Sequence, residues 1–194
     1  MSRYRGAKVK IIKRLGELPG FTKKTEININ KVGKINRKPT DYRLRLEEKQ
    51  KLKFNYGLTE NQLYNYVKIA RRQQGVTGLL LLQLLEMRLD TICFSFGLAP
   101  TIGSARQLVN HGHILVNEKK VDIPSFQCKK KDIISLKNEN SKRLVKNFLD
   151  IKNIPSHLIF DKNNLKGEIK DFCCREDILL SLNELLVVEF YTRR

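Results

Sequence analysis

The spacing of apolar residues changes once along the chain, and this change limits the possible folds more than any other feature. Between residues 59 and 111, apolar side chains recur every three or four positions, as in amphipathic helices. Beyond them, Ile114 and Val116 alternate with polar residues, and so do Val121 and Ile123. The sequence therefore predicts an α+β fold, in which helices are followed by a small, mainly antiparallel sheet.

Capping residues predict where several helices begin and end. Thr59 and Gln62 have the spacing of a capping box, and Asp41 is placed to cap the preceding helix. A break is expected between Met87 and Asp90, where one domain gives way to the next. The predicted helices cover residues 9–15, 41–55, 59–75, 77–96 with that break, 101–111, 141–150 and 178–183.

The remaining apolar segments are predicted to be strands. The polar residues Asn117 to Lys120 separate two alternating segments and are expected to form a hairpin turn. The segment Leu186 to Tyr191 is rich in β-branched and aromatic residues, which favours a strand. The predicted strands cover residues 114–116, 121–123, 132–136 and 186–191, with further short strands in 155–172 around a turn at Asn163 and Asn164.

Positive charge is concentrated at the start of the chain. The formal charge of +18 divides into +12 for residues 1–56, +7 for residues 57–154 and −1 for residues 155–194. A surplus of this size favours a polyanionic partner, and its gradient indicates that the first two segments face phosphate. Nucleic acid and an anionic membrane surface are the two candidates.

A membrane is the less favoured partner because no segment approaches the roughly 20 apolar residues of a spanning helix. The longest apolar run, Leu79 to Leu85, already contains Gln83. The residues after Met1 include no apolar signal core, so neither a secretory signal nor a transit peptide is expected.

Metal and cofactor sites are not predicted. The cysteines lack the paired spacing of zinc ligands, and Cys93 is interpreted as a small buried hydrophobe within a helix. His111 and His113 supply only two possible ligands, so contact with RNA or packing at a strand edge is favoured for them.

Several sequence motifs resemble one specific family. Met87–Asp90, Gly97–Ala99, Ser104–Asn117 and Val121–Ser125 resemble the RNA-binding module named after ribosomal protein S4. The flanks resemble the small-subunit ribosomal protein S4 family itself, which extends the resemblance over nearly the whole chain. The flanking motifs are Arg3–Gly6, Arg14–Gly16, Arg45–Lys51, Tyr56–Glu60 and Asn183–Tyr191.

The plastid branch of the family is the most similar. The stretch Leu82–Asp90 resembles the sequence typical of plastid members, and the N-terminal region lacks the zinc-type cysteines of some bacterial members. The resemblance implies a location on ribosomes of the plastid (chloroplast) stroma, with the bacterial cytoplasm as the alternative.

The resemblance also implies a function. Such a protein binds a multi-helix junction in the 5′ domain of small-subunit rRNA, nucleates assembly and influences decoding accuracy. Its implied partners are that rRNA, neighbouring small-subunit proteins and mRNA near the entry channel. DNA and membranes are not expected partners, and neither a cofactor nor catalysis is expected.

The expected domains follow from the same comparison. They are a basic arm over residues 1–40, a helical domain over 41–87 completed by residues 174–194, and an S4-type RNA-binding domain over 88–173. Within the last, residues 88–136 form the expected reading platform. The arm is expected to fold against RNA, with a solvated tail lacking fixed contacts as the alternative.

The candidate RNA-binding residues are of two kinds. Cations neutralise phosphates, whereas amides and imidazoles bond to phosphates, ribose hydroxyls or base edges. The candidates are Arg3, Arg5, Lys8, Arg14, Arg43, Lys51, Lys53, Arg71, Arg72, Arg88, Arg106, Gln107, Asn110, His111, His113, Asn117 and Lys119.

The chain departs from the family pattern at two loops. Glu118 stands where members usually have glycine, so a side chain is expected where the turn needs a positive φ. Lys129 to Lys131 replace a common proline or glycine, which makes that loop more basic and less rigid.

Two other functions compete with the ribosomal one, namely RNA modification and free-standing regulation through RNA. Arg88–Leu89–Asp90 resembles the catalytic motif of RNA pseudouridine synthases, in which the aspartate is catalytic. Catalysis is disfavoured because the motif lies inside the binding module and the chain has no room for a separate catalytic domain. Asp90 is therefore interpreted as bonding to neighbouring backbone or to an arginine.

Overall fold

The structure is a computed structural model that describes residues 4, 6–23, 40–146 and 154–192. It comprises two compact units, Met1–Leu81 with Leu180–Arg194 and, separately, Leu82–Leu179. The combination of helices with one antiparallel sheet confirms the predicted α+β class. Among the described residues, no helix is both long enough and apolar enough to cross a membrane.

The first unit is helical. The predicted capping box is confirmed, because Thr59 Oγ1 accepts the Gln62 N–H at 3.3 Å and Gln62 Oε1 accepts the Thr59 N–H at 3.0 Å. The cap predicted at Asp41 is wrong, since Thr40 Oγ1 accepts the Arg43 N–H instead. The helices of this unit are α1 (Lys8–Leu15), α2 (Asp41–Asn55), α3 (Glu60–Arg72), the start of α4 (Thr77–Glu86) and, at the end of the chain, α8 (Glu184–Thr192).

Both predictions for the C-terminal segment are wrong. Residues 178–183 form no helix, and the predicted strand over residues 186–191 lies within α8. Asn183 Oδ1 accepts the Leu185 N–H at 3.1 Å, which starts the helix. Val187, Phe190 and Tyr191 are buried at helical spacing. Packing of α8 against the other helices of the first unit therefore outweighs the strand preference of the β-branched residues.

The second unit places helices and strands around one core. The predicted break between helices is confirmed, because α4 ends at Glu86 and the next helix starts at Leu89. The predicted helix over residues 141–150 is observed up to Lys146, and its remainder lies outside the described residues. The elements are α5 (Leu89–Ser95), α6 (Ile102–Asn110), β1 (Ile114–Val116), β2 (Lys119–Lys120), β3 (Ile133–Leu136), α7 (Glu139–Lys146), β4 (Leu158–Asp161) and β5 (Lys166–Ile169).

The sheet has the strand order β2-β1-β3-β5-β4, and every neighbouring pair is antiparallel. Asn117 and Glu118 form the tight turn between β1 and β2 with φ values of 47° and 64°. The positive φ expected at Glu118 is therefore confirmed. The strand predicted over residues 121–123 is wrong, because β2 ends at Lys120 and Ile123 is exposed.

Candidate nucleic-acid interface

A buried ionic cluster joins α5 to α6. The carboxylate of Asp90 accepts hydrogen bonds from Arg88 Nε at 3.0 Å and Arg88 Nη2 at 2.8 Å. Arg106 donates from Nε at 3.0 Å and from Nη2 at 2.8 Å, both to Asp90 Oδ2. The Thr91 N–H donates to Asp90 Oδ1 at 3.0 Å. Five donors therefore hold one carboxylate, which confirms the interpretation that Asp90 bonds to arginine and backbone.

The same cluster corrects two predicted RNA ligands. Arg88 is 2% exposed and Arg106 is 9% exposed, although both were predicted to contact RNA. Arg106 follows Ile102 by one helical turn and thus shares the buried face of α6. The guanidinium groups of both arginines are directed to Asp90, so these side chains shape the platform from inside instead of presenting a charge to phosphate.

The predicted ligands that the platform exposes lie on α6 and the β1–β2 hairpin. Gln107, Asn110, His111 and Lys119 are all exposed, so their side chains are accessible to a ligand. The described face of α6 contains no carboxylate. This surface can offer amide, imidazole and ammonium groups to an anionic polymer.

Two other predicted ligands have partners inside the protein. His113 is partly buried, and its Nδ1 lies 2.9 Å from Ser141 Oγ, a hydroxyl of α7 that is 2% exposed. Asn117 clamps the hairpin, since its Nδ2 donates to Asp132 Oδ1 at 2.8 Å and its Oδ1 accepts the Ile133 N–H at 2.9 Å. Both side chains therefore have a structural role, which the sequence had offered as an alternative for His113 but had not predicted for Asn117.

The predicted cations of the first unit fall into two groups. Arg14, Arg71 and Arg72 are exposed, and Arg71 Nη2 also donates to the Val188 carbonyl at 3.3 Å. The other described cations already bond within the protein, whereas Arg3 and Arg5 lie outside the described residues. The internal bonds join Lys8 to the Phe21 carbonyl at 3.0 Å, Arg43 to Glu47 at 2.9 Å, Lys51 to Glu48 at 2.6 Å and Lys53 to Glu60 at 3.4 Å.

Comparison with known proteins assigns this architecture. A model described as the ribosomal protein S4/S9 N-terminal domain matches residues 3–86, and an S4 domain model matches residues 87–134. The small ribosomal subunit protein uS4c of Phaeodactylum tricornutum is 58% identical, with both chains covered completely. The chain belongs to the ribosomal protein S4 family. The family prediction is thereby confirmed, with the buried cluster inside the part that matches the S4 domain.

Other S4 relatives agree with this assignment. The uS4c proteins of Rhodomonas salina and Marchantia polymorpha are 58% and 54% identical, again over the full length of both chains. These plastid-type names confirm the predicted branch of the S4 family. They are the names of ribosomal components and not of enzymes, which supports the prediction against catalysis.

Three of the four cysteines, Cys93, Cys128 and Cys173, are buried core residues, whereas Cys174 is exposed. Cys93 and Cys128 are buried free thiols, and burial raises the pKa of Cys128 to about 12. Burial also raises the pKa of Cys93 well above its ordinary value, so the thiol stays neutral and unreactive. Within the described ranges, no group of His, Cys, Asp and Glu side chains is arranged to hold a metal ion.

Sequence reasoning missed one exposed cation of the platform, Lys120. Lys120 lies at the end of the hairpin, and its aliphatic chain occupies the space where a Cβ at Gly112 would stand. Gly112 has a φ of 71°, a backbone conformation that favours glycine, whereas the flexible end of the Lys120 side chain could shift to admit a Cβ. The glycine between His111 and His113 was the available signal for a positive φ at this position.

Proposed function

We propose that this chain is a structural component of the small ribosomal subunit of plastids and binds small-subunit rRNA directly. Full-length similarity to uS4c relatives at 54–58% identity carries this proposal. The exposed amides and cations on α6 and the hairpin provide matching chemistry, because rRNA offers phosphates, ribose hydroxyls and unpaired base edges.

The finer proposal is that the chain binds a multi-helix junction in the 5′ domain of the rRNA and nucleates assembly there. In the assembled subunit it would contact neighbouring ribosomal proteins and mRNA near the entry channel, and influence decoding accuracy. Residues 1–40, 41–87 with 174–194, and 88–173 would act as arm, helical support and binding domain. The excess of positive charge before residue 57 supports a large contribution from the arm and first helices.

Sedimentation separates this function from a free-standing regulator or an RNA-modifying enzyme. The tagged protein should migrate with plastid small subunits through a sucrose gradient and remain bound at moderate salt. Recovery at the top of the gradient, with intact subunits below, would contradict the ribosomal assignment. Binding to a transcript of the 5′-domain junction, compared with a duplex of equal length, tests the finer proposal.

Neutralising the cations at the end of α3 should weaken rRNA binding. We expect Lys68, Arg71 and Arg72, changed together to glutamine, to reduce the slope of log affinity against log salt by about 2 to 3, since each lost phosphate contact removes roughly 0.7 to 0.9. Filter binding of the junction transcript at several salt concentrations gives the slope.

A matched variant controls for the loss of net charge. Lys162, Lys166 and Lys170 are also exposed, and their change to glutamine removes the same charge from the other unit. This variant should retain a larger slope than the α3 variant. Equal slopes for the two variants would remove the α3 cations from the proposed interface.

A further inference from the structure

The outward face of α3 differs chemically from that of an ordinary solvated helix. Leu63, Val67 and Ala70 fill the buried face. The sole carboxylate of the helix, Glu60, stands at its first residue and is held by Lys49 at 2.9 Å and Lys53 at 3.4 Å. The exposed residues of α3 are amides, cations and two large side chains, namely Asn61, Tyr64, Asn65, Lys68, Ile69, Arg71 and Arg72.

Tyr64 is supported from one side and open on the other. Its ring lies 5.8 Å from that of Tyr191, at an interplanar angle of 45°. Tyr191 is 5% exposed, and its hydroxyl donates to Glu60 Oε1 at 2.8 Å, which fixes the supporting ring. Tyr64 itself remains 49% exposed. A half-exposed ring on a rigid support loses little conformational entropy when a second flat group stacks on it.

The cations of α3 continue from this ring along the same face. Lys68 and Arg72 follow Tyr64 at intervals of four residues, and each interval advances about 6 Å along the helix. Asn61 lies about one helical turn before Tyr64, and Asn65 is the next residue after it. The side-chain amides of both can donate and accept hydrogen bonds. An aromatic ring followed by cations fits a nucleic-acid strand, because bases stack on aromatic rings and cations neutralise the adjoining phosphates.

We propose that the outward face of α3 is a contact surface for rRNA, on which Tyr64 stacks against an unpaired base while Lys68 and Arg72 bind the adjoining phosphates. The inference rests on the proposed function and assigns part of the RNA contact to a helix outside the S4 domain. Asn65, beside the ring, bonds to a ribose hydroxyl or base edge of the same strand.

Two substitutions at Tyr64 separate stacking from the phenol hydroxyl. Tyr64→Leu in the full chain should weaken binding to the 5′-domain transcript by about 5- to 150-fold, because a base stacked on an aromatic ring contributes roughly 1–3 kcal/mol. Tyr64→Phe should bind within about 2-fold of the unmodified chain, since the ring face is retained. The salt slope should stay unchanged in both variants because no charge is removed.

Tyr42→Leu is the matched control. Tyr42 is 63% exposed on α2, and its ring lies 6.0 Å from Phe190, so it too rests on α8. Its loss should leave RNA affinity within about 2-fold if stacking belongs to Tyr64. Equal losses for Tyr42→Leu and Tyr64→Leu would overturn the proposal, because both effects would then arise from the packing of α8.

A charge substitution provides a second test that leaves the packing intact. Asn65→Asp and Asn163→Asp each add one negative charge at an exposed amide, in different units. Asn65→Asp should weaken binding at least several-fold more than Asn163→Asp. Equal effects would show only general repulsion and would overturn the assignment of this face.

The outcomes distinguish this inference from the proposed function. Normal RNA binding by the unmodified chain together with normal binding by Tyr64→Leu overturns the stacking inference alone. Failure of the unmodified chain to bind rRNA or small subunits overturns both. Normal binding of Tyr64→Leu to naked rRNA, combined with loss from intact subunits, would assign this face to a neighbouring protein and overturn the inference.

Discussion

Changing Asp90 to alanine is expected to lower the free energy of unfolding by about 3 to 5 kcal/mol, the usual cost of breaking a buried ion pair by removing one partner. The carboxylate is fully buried and is shared by Arg88 and Arg106. Without it, the two guanidinium groups inside the unit lose the carboxylate that they share. Urea unfolding followed by circular dichroism measures the loss.

Asp122→Ala is the control for this prediction. Asp122 is exposed and lies 4.0 Å from Lys120 across solvent, so its removal should leave the unfolding midpoint unchanged. An Asp90→Ala variant as stable as the Asp122→Ala variant would show that the cluster is not a stabilising element. Asp90→Asn retains shape and one acceptor oxygen and should be destabilised by less than the alanine variant.

The second large effect is expected at Gly167. A Cβ at this position in β5 would overlap the ring of Phe96, which is 1% exposed and stacks on Phe160 at a centroid distance of 5.1 Å. Because the ring is buried and stacked on Phe160, Gly167→Ala should cost about 1 to 3 kcal/mol of stability, as overpacking does. Thermal and urea unfolding measure the change.

The double variant tests whether the clash is the cause. Phe96→Leu makes room for the added methyl group, so the double variant should lose less than the sum of the two single losses. Gly103→Ala serves as the comparison, because Gly103 is exposed in α6 and its nearest neighbour would be 3.8 Å away. That change should stabilise α6 by up to about 1 kcal/mol. Additive losses at positions 96 and 167 would exclude the contact as the source.

Local signals in the sequence predicted most of the fold. The Thr59 capping box, the switch to alternating residues at Ile114 and the hairpin at Asn117 each depend on neighbouring residues, and all three occur in the structure. The pairing of β3 with β5 could not be predicted in this way, because it joins residues far apart in sequence. The strand prediction for the α8 segment was wrong for a related reason, since this helix depends on packing against helices that are distant in sequence.

The partners of charged residues in the candidate site also could not be predicted from neighbouring residues alone. A cationic residue such as Arg106 is expected at the surface by default, although its spacing from Ile102 already placed it on the inner face of α6. Only the structure shows that Asp90 offers both of its oxygens to arginine. The sequence predicted that Asp90 bonds to backbone or to an arginine, but it could not show that Arg88 and Arg106 share the carboxylate.

The division of the chain into units has a consequence for its own synthesis. Residues 82–179 form one continuous unit, whereas the other unit needs Leu180–Arg194 to join Met1–Leu81. A ribosome that translates this chain therefore releases the helices α1 to α3 early but withholds α8 until the intervening unit has emerged. The continuous unit can fold during translation, and the unit with the N-terminal helices is completed after it, although those helices leave the ribosome before the continuous unit does.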